Sequence, residues 1–332
     1  MVLLLLLLSL AAATWVAHRL TDTPVPAATA LQRPRRVAST APTTGPQIGR
    51  GSRVLIVSID GLRPDLALMS DMPNLRGLLP AASYTFWART TDVALTLPSH
   101  ASMLTGVTPA RHTIEWNEDV AGERLRYPAF PTLFELAKRA GYTTALVSGK
   151  SKFVALARPG SVDWLELPPV GAGPSDAEVA AMAATLISEV SPQVMTVHFG
   201  DVDRAGHAHS WGSPEQYDAI ARADAALGAI LTALRSAGVF EETLLIVTAD
   251  HGGFHRMHGN DPRATHIPWI ARGPHVRRKN DLTRVPNVTV RTEDTFATAA
   301  AFLGLTVDDS IDGRPLSVIY EPVELLQETA GK

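Results

Sequence analysis

Val54-Leu55-Ile56-Val57-Ser58-Ile59 is an apolar run of strand length, rich in β-branched residues and closed by Asp60-Gly61. A strand with one wet face would alternate apolar and polar residues, so this one requires cover on both faces. Runs of the same kind recur at Thr143–Ser148, Val194–Phe199, Leu244–Thr248 and Ile267–Ala271. Segments of helical pattern fall between and after them, at Thr132–Ala140, Asp176–Val190, Pro214–Ala237 and Thr292–Leu303. Pro214 stands in a first helical turn, where its missing N–H costs nothing, and Gly141 and Gly304 are stop signals. This alternation predicts an α/β fold with a mostly parallel central sheet and helices on both faces. In such sheets ligands bind at the carboxyl ends of the strands.

The chain has 332 residues, enough for one large core, and we expect a single α/β domain over 53–322 with a tail at 323–332. Val2 to Ala17 form a nearly continuous apolar run ending at His18-Arg19, so 1–20 reads as a signal peptide or an N-terminal membrane anchor. Residues 21–52 are rich in Pro, Ala, Thr and Arg without hydrophobic period, the composition of a flexible tether. Together these imply export to the periplasm or the extracellular side, with or without membrane attachment. A net charge of −3 gives no electrostatic case for nucleic acid as a partner. With no cysteine, disulfides and thiolate-ligated zinc are both excluded. Nothing in the sequence speaks to oligomeric state.

Three of the apolar runs end at side chains that bind metals. Asp60 follows the first, Asp201 and Asp203 follow Val194–Phe199, and Asp250-His251 follows Leu244–Thr248. Eight of the eleven histidines lie between His198 and His275. Carboxylate and imidazole together are the ligand set of zinc and similar divalent ions. Asp203 and His207 are four apart, so a helical turn or a compact loop puts both on one face. Gly252-Gly253 allow a tight exit after the Asp-His pair. Upstream, Thr96 precedes an expected helix at Ala101–Thr105. A hydroxyl at the mouth of a helix suits a nucleophile, although taken on its own Thr96 reads as a helix cap. There is no G-x-S-x-G elbow.

The ordered set Asp60, Thr96-Leu97-Pro98-Ser99-His100, Asp203 to His207, Asp250-His251-Gly252 and His258-Gly259 resembles the alkaline phosphatase superfamily. Within it, the nucleotide pyrophosphatase/phosphodiesterase (type I phosphodiesterase) branch matches best. The resemblance spans Val54 to about Leu316. It implies two divalent ions, with Zn2+ preferred to Mn2+ on mixed Asp and His ligands. One would be held by Asp60, Asp250 and His251, the other by Asp203, His207 and His258. Thr96 would bridge toward both ions as the nucleophile and be transiently esterified, and Asn117 would bind a phosphoryl oxygen. The implied activity is a two-metal phosphoric ester hydrolase acting on a small phosphate ester or nucleotide-like substrate.

His266 rivals His258 as the sixth ligand, while His198, His209, His255 and His275 read as bystanders. Asp201 reads as a backbone partner or as a residue orienting a ligand histidine, and Ser99 and His100 as helix-start structure. Ser99 departs from the Asn common at that position in the branch. A phosphomonoesterase or phosphonate hydrolase of the same superfamily would add a cationic clamp, for which Arg63, Arg89 and Arg111 are candidates. A sulfatase needs a modified Cys or Ser where this chain has Thr96. A membrane-tethered binding protein that keeps the fold without catalysis is the remaining alternative.

Overall fold

The computed structural model describes residues 52–321 apart from Ala121. The expected leader at 1–20, the tether but for its last residue, and the tail at 323–332 lie outside the described residues. Among the described residues no helix is long and apolar enough to cross a membrane. The chain forms eight strands: β1 Arg53–Ile59, β2 Ser83–Arg89, β3 Thr144–Ser148, β4 Trp164–Glu166, β5 Val194–Phe199, β6 Thr243–Thr248, β7 His266–Arg272 and β8 Asn280–Asp281. The α-helices are α1 Pro64–Met69, α2 Pro73–Leu78, α3 Thr96–Thr105, α4 Pro109–His112, α5 Leu133–Arg139, α6 Asp176–Glu189, α7 Asp201–His209, α8 Pro214–Ser236 and α9 Thr292–Phe302.

The strands make one sheet in the order β4-β3-β5-β1-β6-β7-β2-β8. From β4 to β6 every pairing is parallel, and β7 then runs antiparallel to both β6 and β2. Strands β3, β5 and β6 are buried at every position, as is β1 beyond Arg53. That burial is the physical reason for their largely apolar sequences, because each face of the sheet packs against helices. The helices form two packed groups, α6 with α7 and α8, and α3 with α5 and α9. The fold class is the one the sequence implies, and the five foreseen strands agree to within a residue at each end.

Two departures have clear causes. The helix expected at Ala101–Thr105 starts at Thr96, because Leu95 is extended at its cap and Pro98, still in the first turn, forfeits no intrahelical bond. Strand β2 escapes a search for apolar runs because it mixes buried and exposed positions over Ser-Tyr-Thr-Phe-Trp-Ala-Arg, with a bulge between Thr85 and Ala88. Helix starts are set by side chains. Thr132 with Glu135, and Ser175 with Glu178, form capping boxes at α5 and α6. Helix α2 lacks a side-chain cap of its own, and the buried Asp224 carboxylate on α8 accepts from Asn74 N and Leu75 N instead.

Asp176, the first residue of α6, secures the turn between β5 and α7: its Oδ1 accepts from Gly200 N at 2.7 Å and Asp201 N at 3.0 Å. Burial first, and then the nearby Asp201 charge, push its carboxyl up to about 7 from an ordinary 3.8. Between those values the folded chain holds a proton that the unfolded chain has released. This contribution to stability is therefore full below the unfolded value and lost as pH rises through about 7. Denaturant titrations from about pH 4 to about pH 8 should show wild type losing more stability than Asp176→Asn, by on the order of 1 to 3 kcal/mol. Identical pH dependence of the two proteins would contradict the assignment.

Candidate active site

Four neighbouring parallel strands, β3, β5, β1 and β6, end on the same edge of the sheet, and each delivers chemistry there. Asp60 follows β1 directly, Asp250-His251 follow β6, α7 carries Asp203 and His207 past the end of β5, and Lys150 follows β3. Gly61, with φ +75°, lets the chain turn away immediately after Asp60, and a Cβ there would press on Asp203 Cα at 3.1 Å. Gly252 and Gly253 have no left-handed conformation. They are needed for close approach, since a Cβ on Gly253 would lie 2.2 Å from the Trp211 ring. Trp211 in turn donates from Nε1 to Gly61 O at 2.9 Å, joining the exits of β1 and β6.

The structure brings Asp60, Thr96, Asp203, His207, Asp250, His251 and His258 together. Two sets offer ligand atoms within 4.8 Å of one another: Asp203, His207 and His258, and Asp60, Asp203 and His251. The first is one of the two triads expected. In the second, Asp203 stands where Asp250 was expected, although Asp250 Oδ2 is 3.4 Å from His251 Nε2.

The donor set fits cations. Asp60 Oδ1, Asp203 Oδ1 and Asp250 Oδ2 are buried with no hydrogen-bond donor. Leaving a carboxylate oxygen so placed costs several kcal/mol, roughly, unless a positive partner faces it. All three histidines spend Nδ1 on a backbone carbonyl: His251 on Gly252 O at 2.8 Å, His207 on Arg256 O at 2.9 Å and His258 on Ala94 O at 2.7 Å. Each therefore turns the Nε2 lone pair inward, the tautomer and orientation that metal-binding histidines require. His251 Nε2 lies 3.4 Å from Asp60 Oδ1, and His207 and His258 Nε2 lie 3.3 and 3.9 Å from Asp203 Oδ1.

Burial pushes all three carboxyls up. At Asp60 this is outweighed by Lys150 and by a hydrogen bond from His198 Nε2 at 3.0 Å, which hold it well below the usual carboxylate range. At Asp203, burial and the Asp60 charge are outweighed by Lys150 and the contact with His207, and the carboxyl again lies low. At Asp250 burial and repulsion from Asp60 win, and it is driven well above its ordinary value. Burial and then His258 lower His251 to about 4, so it is neutral at physiological pH. Burial likewise lowers His258, whereas contact with Asp203 raises the more open His207.

Thr96 is not a cap. It is the first residue of α3, Leu95 occupies the cap position, and Thr96 Oγ1 points instead to His251 Nε2 at 3.3 Å and Lys150 Nζ at 3.4 Å. Its carbonyl accepts from the buried His100 Nδ1 at 2.7 Å, while His100 Nε2 meets Ser58 Oγ on β1 at 2.8 Å. Ser99 bonds to the Thr90 and Thr91 hydroxyls, so both residues order the start of α3. Asn117 Oδ1 accepts from Leu97 N at 2.9 Å, which sets the amide beside the nucleophile and leaves its Nδ2 as a donor.

Other expectations are corrected. His266 lies outside the cluster and stacks on the exposed Trp87 at 3.9 Å between ring centroids. His198 is no bystander: it is fully buried on β5 and supports Asp60. Asp201 is the backbone partner foreseen: it accepts from Asp176 N and, at its other oxygen, from Arg204. Arg63 and Arg111 are engaged elsewhere, with Asp65 and Gly253 O and with Asp312. The cations at the site are Lys150 and Lys152. The strand-then-charge pattern Ser148-Gly149-Lys150 was the signal for the first, and it matches the one at Ile59-Asp60.

Against this geometry stand the comparisons with known proteins. Residues 54–267 match the family model described as type I phosphodiesterase / nucleotide pyrophosphatase. The mouse ectonucleotide pyrophosphatase/phosphodiesterase family member 7 is 23% identical over 233 residues, covering 63% of this chain and 52% of its own length. Mouse family member 1 is 25% identical over 225 residues, covering 60% of this chain and 24% of its own. The chain thus spans about half, or less, of these relatives. A solved structure of murine ectonucleotide pyrophosphatase/phosphodiesterase 5, an inactive threonine-to-alanine variant in complex with AMP, superposes with TM-score 0.63 at 15% identity. It covers 77% of this chain and 96% of that one.

If the orphaned oxygens are there to face cations, zinc added to chelator-treated protein should raise its melting temperature and saturate. Asp203→Asn, which touches both ligand sets, should lose most of that rise, and His266→Ala should keep it. Equal responses from the two variants in a thermal-shift titration would refute the assignment.

Proposed function

The chain belongs to the type I phosphodiesterase/nucleotide pyrophosphatase family, a family of divalent-metal enzymes, and on that premise we propose that it hydrolyses phosphoric diesters or pyrophosphates through a phosphothreonine at Thr96. The observation that carries this reading is the Thr96 hydroxyl, freed from capping and aimed into the carboxylate–imidazole cluster. Asp60, Asp250 and His251 would hold one divalent ion and Asp203, His207 and His258 the other, zinc being favoured by the mixed ligands. When bound, such ions supply Lewis-acid stabilisation of entering and leaving oxygens.

The chain's own residues account for the remainder. The N-terminus of α3 and Lys150 Nζ both lower the cost of a negative Thr96 oxygen. In the first step a bond forms from Thr96 Oγ1 to phosphorus while the bond to the leaving oxygen breaks. In the second, water displaces Thr96 and releases the phosphorylated product. Asn117 Nδ2, oriented through Oδ1, is placed to donate to a non-bridging oxygen. His100 fixes the Thr96 carbonyl, so the hydroxyl is aimed before substrate arrives.

A nucleotide-like substrate is supported by the AMP held by the murine relative, where a threonine-to-alanine change gives an inactive protein. Export is supported by the apolar segment at Val2 to Ala17 and by relatives named as ectoenzymes. In this reading 53–322 is the catalytic domain, carried by a leader or anchor at 1–20 and a tether at 21–52.

Turnover of bis-p-nitrophenyl phosphate should be abolished by a chelator and restored by zinc. Thr96→Ala should lower kcat by about 10^3-fold or more while the melting temperature stays near wild type. Activity that survives in Thr96→Ala would rule out the covalent route.

A further inference from the structure

One level of the parallel sheet breaks the apolar pattern of its strands. Ser148 on β3, His198 on β5, Ser58 on β1 and Thr248 on β6 stand in register, so they form a polar row across four adjacent strands. All four are fully buried or nearly so. The row lies two residues ahead of Asp60, Lys150 and Asp250, the spacing of one face of a strand. Buried polar atoms cost stability unless each is answered, and apolar side chains would serve the core better.

The row is answered in separate branches. Thr248 Oγ1 donates to Pro268 O at 2.8 Å. Ser58 Oγ meets His100 Nε2, whose other nitrogen holds the Thr96 carbonyl. His198 Nε2 meets Asp60 Oδ2 at 3.0 Å, and His198 Nδ1 meets Ser148 Oγ at 3.1 Å. An ionised Asp60 can only accept, so Nε2 carries the proton. Burial lowers His198 and keeps its ring neutral, so Nδ1 takes the Ser148 hydroxyl proton, while Ser148 Oγ accepts from Lys150 N at 3.1 Å. Lys150 O is also 3.1 Å from that hydroxyl, but turning the proton there would leave Nδ1 without a donor. Every donor in this branch thus points toward Asp60. The His198 and His100 rings lie 5.0 Å apart and both rest on the fully buried Phe153, so packing fixes the imidazole as firmly as its hydrogen bonds do.

The consequence falls on Asp60 as a ligand. His198 and Lys150 take its Oδ2, whereas its Oδ1 has no donor and lies 3.4 Å from His251 Nε2. Lys150 ends a flexible side chain and has Asp203 Oδ2 as a second partner, so the imidazole is the fixed member. A carboxylate held in this way offers a cation one oxygen rather than two. That suits zinc, which is content with four ligand atoms. Ions that gather six or more oxygens are better served by a carboxylate free to bind through both.

We propose that His198, oriented by Ser148, is a positioning residue that fixes Asp60 as a single-oxygen ligand and so favours zinc over manganese at that ion site. This rests on the carboxylate–imidazole cluster binding cations with Asp60 as a ligand, as described above, and not on turnover. It gives the polar row a purpose that the sheet itself does not supply.

The test uses the full chain, freed of metal and titrated with zinc or with manganese against a chromophoric chelator. His198→Phe keeps an aromatic ring and removes the donor; zinc should then bind one of its two sites about ten- to a hundredfold more weakly. Manganese should lose less, so the zinc-to-manganese affinity ratio at that site should fall at least about tenfold. His198→Gln, whose amide can place an N–H where Nε2 stood, should recover most of the ratio. Ser148→Ala, the milder change that decides the matter if His198→Phe does not fold, should lower the ratio at least about threefold. Zinc and manganese weakened alike, an unchanged ratio in Ser148→Ala, or no recovery in His198→Gln would overturn the assignment. Wild-type protein that binds neither ion would overturn the cation cluster and this inference with it. The expected shifts in a protein that turns over no phosphate ester would overturn the hydrolase reading and leave this one standing.

Discussion

Three buried carboxylates within reach of one another are the constraint to which the rest of this structure answers. Asp60, Asp203 and Asp250 each leave one oxygen without a donor in a region closed to water. Neither burial nor mutual repulsion favours keeping them charged, and Asp250 is driven well above the carboxylate range as a result. Such a cluster persists only where the fold over-determines it and where positive charge can be recruited. The parallel sheet over-determines it: the carboxylates come from the ends of three adjacent strands in fixed register, and strand sliding would turn apolar side chains out of the core.

Around that cluster the histidines divide by what their rings touch. His207, His251 and His258 give Nδ1 to backbone carbonyls and turn Nε2 inward. His198 and His100 use both nitrogens on protein groups, bracing Asp60 and the start of α3. His266 faces a tryptophan on the sheet's antiparallel flank. One residue type thus fills inward-facing, bracing and surface positions, and the distinction comes from backbone carbonyls that no sequence pattern displays.

Much of the fold was legible because parallel strands buried on both faces write themselves as continuous apolar runs. Asp60, Asp203 and Asp250-His251 were legible for the same reason, each following such a run within a few residues. What stayed hidden depends on contacts between distant segments. Strand β2 buries Ser83 and Thr85 and exposes Trp87, so neither an apolar run nor an apolar–polar alternation marks it. Thr96 reads as a cap until the structure shows Leu95 in that position. Lys150 follows its strand as Asp60 follows β1, whereas no pattern in the sequence marks Lys152. Only the fold shows that β3 lies beside β5, which brings the turn after it onto the site.

The account stands on the claim that these side chains hold two cations, with Thr96 between them. Anomalous diffraction at the zinc edge, from crystals of the full chain grown with zinc, tests it without reference to turnover. Two peaks should appear at the strand ends, one bounded by Asp60, Asp250 and His251 and the other by Asp203, His207 and His258, both in reach of Thr96 Oγ1. A single peak, or zinc bound only at surface histidines such as His209 or His275, would contradict it.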